Sequence, residues 1–244
     1  PQAPSRRSDP FSRVAGGVRF RRASPFSAQT LPRPHLLMAV CALIVGLGNP
    51  GSRYAATRHN FGFMALDALS DRARELGGAP KAALTGRKDL EAVTLSLPVL
   101  PGGAFAQFTC VKPQTFMNLS GRAVRAALDF YKLAPQDVLV VHDELDLPLG
   151  RMRLKRGGGN AGHNGLKSLT QELGSPEFVR LRLGIGRPEP GRDVAGFVLE
   201  PFGRDETPLV RRVLPAAVAG VMTFFEDGLD AAQRAVGGFD AAAG

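Results

Sequence analysis

The sequence predicts one α/β domain built on a β-sheet with helices over both faces. Three observations carry this. Segments of strand character and of helical periodicity alternate from about residue 41 to 235, the order expected of such a sheet. The 244 residues are 44% hydrophobic, enough to bury a sizeable core. No internal repeat interrupts the series.

The elements follow in order. The folded part opens at AVCALIVGLGNPG, a β-rich apolar run stopped by Gly and Pro. Residues 61–76 place Phe61, Met64, Ala65, Ala68, Leu69 and Ala73 at helical spacing. GGAPKAALTGRKD reads as a loop, and LEAVTLSLPVL and AFAQFTCVK as two strands joined by the turn PGG. A helix is expected from about Asn118 to Lys132, with Ala123, Val124, Ala127, Leu128 and Tyr131 on one side. DVLVVHDEL reads as a short buried strand, and GRMRLKR alternates like an exposed one. A helix over 164–173 and the strand EFVRLRLGIG follow. Residues 206–235 read as helical, with Pro215 forcing a break or kink.

Composition narrows the setting. Two cysteines, Cys41 and Cys110, cannot form a disulfide framework and read as buried thiols in a reducing compartment. No apolar run is expected to reach the roughly 20 residues of a membrane span, so no membrane partner is expected. The net charge is +9, but residues 1–37 hold seven arginines and one acid, and so contribute +6 of it. This leader is rich in Arg, Ser and Pro, poor in acids, and lacks the apolar core of a secretory signal. It reads as an organellar transit peptide, chloroplast in preference to mitochondrion, ahead of a domain over 38–244. The alternative is a basic tail that binds RNA. Met38 offers an internal start for a cytosolic form.

Several familiar chemistries fit poorly. GLGNPG (Gly46, Gly48, Gly51) matches the dinucleotide fingerprint G-x-G-x-x-G. That fingerprint needs its third glycine inside a helix that starts at once and an acid at the end of a second strand. Here Pro50 and a polar stretch intervene, and Asp67 falls in mid-helix. No serine sits in G-x-S-x-G, and neither cysteine has a basic, exposed setting. The histidines, His35, His59, His142 and His163, form no H-E-x-x-H pattern, so no metal site is expected.

What remains is a dispersed polar set at the ends of elements, where ligands bind in open α/β sheets. Asn49 follows the first strand, with Tyr54, His59 and Asn60 soon after. Asn118 starts a helix, Asp143 ends a strand, and His163 and Asn164 close GGGNAGHNG. Singly, Asn60, Asn118 and Asn164 read as helix caps and Tyr54 as filler. Asp143 stands with Glu144 and Asp146, and a carboxylate beside His59 would raise its pKa and fix its tautomer. Alternatively it caps the following turn. Arg151, Arg153 and Lys155 share one strand face, and Arg180 and Arg182 repeat the device. Such cations clamp phosphates or form the solvated side of an edge strand. The adjoining glycines favour the clamp.

IVGLGNPGSRYAATRHNFG, KPQTFMNLSGRAV, HDELDLPLGRMRLKRGGGNAGHNGLKS and FVRLRLGIGRP resemble the bacterial-type peptidyl-tRNA hydrolase family, in the same order over roughly residues 41–235. The resemblance implies a monomeric single domain with a twisted mixed β-sheet surrounded by α-helices, no metal and no cofactor. It implies hydrolysis of the ester joining a peptide to its tRNA. His59 would be the general base and Asp143 its orienting partner. Asn49, Tyr54, Asn60, Met117, Asn118, His163 and Asn164 would hold the substrate, with Arg153, Lys155 and Arg182 on the tRNA side. Three features depart from the family: Ala161 where glycine is common, the poorly matching stretch 77–103, and the leader. The sequence is similar also to plastid relatives that act as RNA-splicing modules. A nucleotide-dependent oxidoreductase rests on GLGNPG alone.

Overall fold

Two strands with apolar side chains on both faces set the centre of the molecule: β1 (Cys41–Gly46) and β5 (Val138–Glu144), paired in parallel. In β1, Ala42 and Ile44 enter one core while Leu43 and Val45 enter the other. In β5, Leu139 and Val141 oppose Val138 and Val140 in the same way. Continuous apolar runs of this kind belong to strands covered on both sides. The computed structural model describes residues 41–75, 85–98 and 107–243. The leader, His35, Met38, the start of the 77–89 loop and the Pro101–Gly103 turn lie outside the described residues, as does the Cys41 side chain.

Among those residues the sheet has seven strands, in the order β2-β3-β4-β1-β5-β7-β6. β2 is Thr85–Arg87, β3 Ala92–Pro98, β4 Gln107–Pro113, β6 Met152–Arg156 and β7 Val179–Gly184. The four inner strands β4, β1, β5 and β7 run parallel, while β2, β3 and β6 add antiparallel edges. The sheet is therefore mixed. Cys110 lies buried in the middle of β4.

One face carries α1 (Phe61–Glu75), α5 (Thr207–Asp227) and α6 (Leu229–Gly237). The other carries α2 (Ser120–Tyr131) and α3 (Asn164–Leu173). The predicted stripe of α2 is buried at Ala123, Val124, Ala127 and Leu128.

Four expectations are corrected. Part of the 77–89 loop is the edge strand β2, too short to show a period. A five-residue helix, α4 (Val194–Val198), starts where Asp193 accepts from the amides of Ala195 and Gly196. α5 is not broken at Pro215; its apolar face, Val210 to Phe225, is packed on the sheet, and the helix ends only at Gly228, φ 84°. α5 is also long and apolar enough to cross a membrane by length and composition, with mean hydropathy 1.3. It packs against α1 and α6 as a core helix.

α1 begins hard against the ends of β1 and β5. A Cβ at Gly62 would stand 2.3 Å from the Val141 carbonyl oxygen and 2.5 Å from the Leu47 nitrogen. No side chain fits, and this closeness carries residues 58–60 to the strand ends. Gly62→Ala is expected to cost roughly 1–3 kcal/mol of stability by overpacking, read as a lower thermal unfolding midpoint. An unchanged midpoint would show that the helix backs away freely.

Candidate active site

The parallel strands end on one side, and the chain leaves β1 with β4 and β5 on either flank. Such a divergence opens a crevice at the carboxyl ends of the strands. Asn49 follows β1, a 3-10 turn (Met117–Leu119) follows β4, and Asp143 ends β5. Asp143 continues the register of Leu139 and Val141, toward the α1 side, so it meets His59 in the turn Arg58–Asn60 before α1.

His59 Nδ1 lies 3.0 Å and 3.1 Å from the two Asp143 carboxylate oxygens. His163 Nε2 lies 3.0 Å from Oδ1 of the same group. The tautomers follow from the partners. His163 Nδ1 accepts from the main-chain amides of Gly165 and Leu166, capping α3, so its proton is on Nε2 and is donated to Asp143. A carboxylate can only accept, so His59 donates through Nδ1 and its Nε2 carries the lone pair. The His59 side chain is 11% exposed and that of Asp143 only 3%.

Burial disfavours a charged His59, but the charge and hydrogen bond of Asp143 outweigh it and raise its pKa above 6.5. Burial alone would raise Asp143 also. The imidazoles of His59 and His163 overcome that and hold the carboxyl well below its usual range. His142 points to the opposite side from Asp143 and is buried; burial first, then His163, pushes its pKa down to about 3. Neutral His142 donates through Nδ1 to the Asp143 carbonyl at 2.6 Å.

The asparagines divide into two kinds. Asn60 Oδ1 accepts from the Asn49 amide at 2.8 Å and Nδ2 donates to the Asn49 carbonyl at 3.0 Å. It is therefore a buried clamp on the Asn49 main chain rather than a helix cap, and with Asn49 it lines a pocket bordered by Phe63 and Lys112. Asn49 Oδ1 in turn accepts from the Met117 amide at 2.8 Å. Met117 is buried, its sulfur against Gly165. Asn118 and Asn164 are exposed, on the turn after β4 and the first turn of α3, two elements packed together. Neither caps a helix: α2 begins at Ser120, and His163 caps α3. Tyr54 is half-buried and bonded to neighbouring Arg53, not to the cluster.

The basic strands are less uniform than their alternation suggests. Arg153 and Lys155 are exposed on β6, opposite Arg182 and Arg180 of β7. Arg180 is buried, stacked on Phe178 and donating to the carbonyls of Gly158 and Gly159, so it belongs to the glycine loop rather than to a clamp. Arg182 pairs with Glu144 at 2.8 Å, and Arg151 with Asp240. The acids after β5 are thus neutralised: Asp146 pairs with Arg187. Ala161 adopts φ 46°, so the loop keeps the left-handed backbone that glycine would favour, at a cost in strain.

His59, Asp143 and His163 also place three potential ligand atoms within 4.8 Å of one another. A metal ion there would have to displace both imidazole–carboxylate bonds and the α3 cap. The residues missed in the sequence are Arg58 and Glu206, joined at 2.6 Å. Arg58 sits in the same short stretch as His59, but nothing in its spacing indicates a partner 148 residues away.

The family model described as peptidyl-tRNA hydrolase matches residues 43–243. The chain is 86% identical over 204 residues to the peptidyl-tRNA hydrolase of Solidesulfovibrio magneticus, covering 84% of this chain and 96% of the relative. It is 50% identical over 202 residues to that of Nitratidesulfovibrio vulgaris, covering 83% and 99%. The crystal structure of the Acinetobacter baumannii peptidyl-tRNA hydrolase is similar at TM-score 0.73 and 34% identity, covering 85% of this chain and all of that one.

Replacing Asp143 by Asn removes both influences that raise the His59 pKa and leaves burial, which lowers it. The His59 titration, followed by NMR of the imidazole, is therefore expected to move down, from above 6.5 toward or below it. An unmoved titration would contradict the pairing.

Proposed function

The chain belongs to the peptidyl-tRNA hydrolase family, and we propose that His59 activates the water that cleaves the ester between the peptide and the terminal ribose of its tRNA. The observation that carries this is the buried, two-oxygen contact of Asp143 with His59 Nδ1, which leaves Nε2 as a lone pair at the crevice.

These groups supply the proton transfers. Nε2 takes a proton from water as the oxygen attacks the ester carbonyl carbon. The imidazolium is stabilised through Nδ1–H by Asp143, which stays ionised. The tetrahedral intermediate then expels the ribose oxygen, which recovers the proton from Nε2, and the peptide leaves as a carboxylic acid that loses water's second proton to solvent. General-base help is worth roughly 10²–10⁴-fold. The rest must come from positioning and from donors aimed at the developing oxyanion. Asn118 and Asn164 present exposed amides suited to that task and to holding a peptide main chain, without adding charge. His163 spends both nitrogens inside the protein, so its part is to orient Asp143 rather than to touch substrate.

Arg153 and Lys155, exposed and without an ion-pair partner among the described residues, suit contact with tRNA phosphates. Arg182 would act there only in exchange for Glu144. The relatives compared are bacterial and bear on the hydrolase domain; an organellar leader stays an expectation of the sequence. The RNA-splicing alternative draws no support from the comparisons.

The protein is expected to release the peptide from an N-blocked aminoacyl-tRNA without added metal, and His59→Ala to lower kcat by roughly 10²–10⁴-fold with the fold intact. A wild-type rate in that variant would refute the role. Because the base must be neutral and its pKa is raised, kcat/KM should climb with pH through a midpoint above 6.5. Lys155→Ala should raise KM and reduce the slope of log affinity against log salt by a little under one unit. An unchanged slope would remove Lys155 from the interface.

A further inference from the structure

The turn that carries His59 is held at three corners by three consecutive side chains. Arg58, His59 and Asn60 are 7%, 9% and 2% exposed, and each leaves in a different direction. Asn60 grips the main chain after β1, and His59 meets Asp143 at the end of β5. Arg58 reaches into the segment from α4 to the start of α5.

That last anchor is elaborate for a surface turn. Arg58 Nη2 donates to Glu206 Oε2 at 2.6 Å. Nη1 lies 3.1 Å from the Pro201 carbonyl oxygen and 3.4 Å from those of Phe197 and Glu200. The guanidinium plane lies 4.2 Å from the Phe197 ring centre, with Phe202 on its flank at 5.6 Å. Phe202 then meets Phe61, the first residue of α1, edge-on. The Arg58 amide donates to the Glu200 carbonyl, and Thr57 pairs with Pro201. Glu206 is itself fixed by the Gly203 amide at 2.6 Å.

A turn pinned only at Asp143 and Asn49 could still roll about the line joining them, and that roll swings His59 Nε2. Arg58 supplies the third point. A planar fork with several fixed acceptors defines direction as well as distance, which a lysine would not. We propose that Arg58 is a positioning residue for His59, held by Glu206, and that this tie sets where the His59 lone pair points. The proposal rests on the reading of His59 as the base.

The test uses the full chain and N-acetyl-aminoacyl-tRNA, with kcat and KM measured for Glu206→Gln, Arg58→Lys, His59→Ala and each of the first two combined with His59→Ala. Glu206→Gln and Arg58→Lys are expected to lower kcat by about 10- to 100-fold, the scale of a catalytic group displaced by about an ångström, with KM within about twofold. In the His59→Ala background neither should lower the residual rate further, since a residue acting only through His59 has nothing left to act on. Unfolding midpoints identify which variants are folded at the assay temperature, and one folded variant of the two is enough to decide. A wild-type kcat in a folded variant, a loss confined to KM, or an equal loss in the His59→Ala background would overturn the proposal. A wild-type rate for His59→Ala alone would instead sink the assignment of the base.

Discussion

The arrangement depends on one buried carboxylate. Asp143 is nearly sealed from water, and an isolated charge there would cost several kcal/mol. It is tolerated because two imidazoles donate to it from opposite elements, one ahead of α1 and one at the start of α3. Those elements lie on opposite faces of the sheet, so a single anion draws both helical layers to the same strand end. The same bonds fix both tautomers. His163 has no freedom left, and His59 retains one unshared nitrogen.

The sheet makes this convergence possible. Apolar alternation on both faces of β1 and β5 keeps the two strands central and parallel, so Asn49 and Asp143 emerge side by side. Gly62 lets α1 press onto them. The outer strands β2, β3 and β6 contribute no residue to the carboxylate cluster, and β6 instead presents cations on the α3 face.

Much of this was legible in the sequence, for identifiable reasons. α2 and α3 announce themselves because one-sided burial imposes a strong period on their side chains, and β1 and β5 because burial on both faces makes them short unbroken apolar runs. β2 and α4 do not, being three and five residues long, and Pro215 misleads because packing on the sheet overrides a local preference. The His59–Asp143 pair was visible as types of residue at element ends. The use of each amide was not. Whether Asn60 caps a helix, faces a ligand or clamps a neighbour depends on where the chain passes in space. Arg180 failed for the same reason: alternation gave its side correctly but not the carbonyls that bury it. Arg58 carries no sequence sign at all, since its meaning lies wholly in a distant partner.

The three-cornered turn has a bearing on how the protein is made. Its ties span 11, 84 and 148 residues of chain, and Glu206 is encoded near the end of 244. Long-range closures of this sort come late in folding. A ribosome making this polypeptide must therefore extrude residue 206 before all three ties to the turn can close.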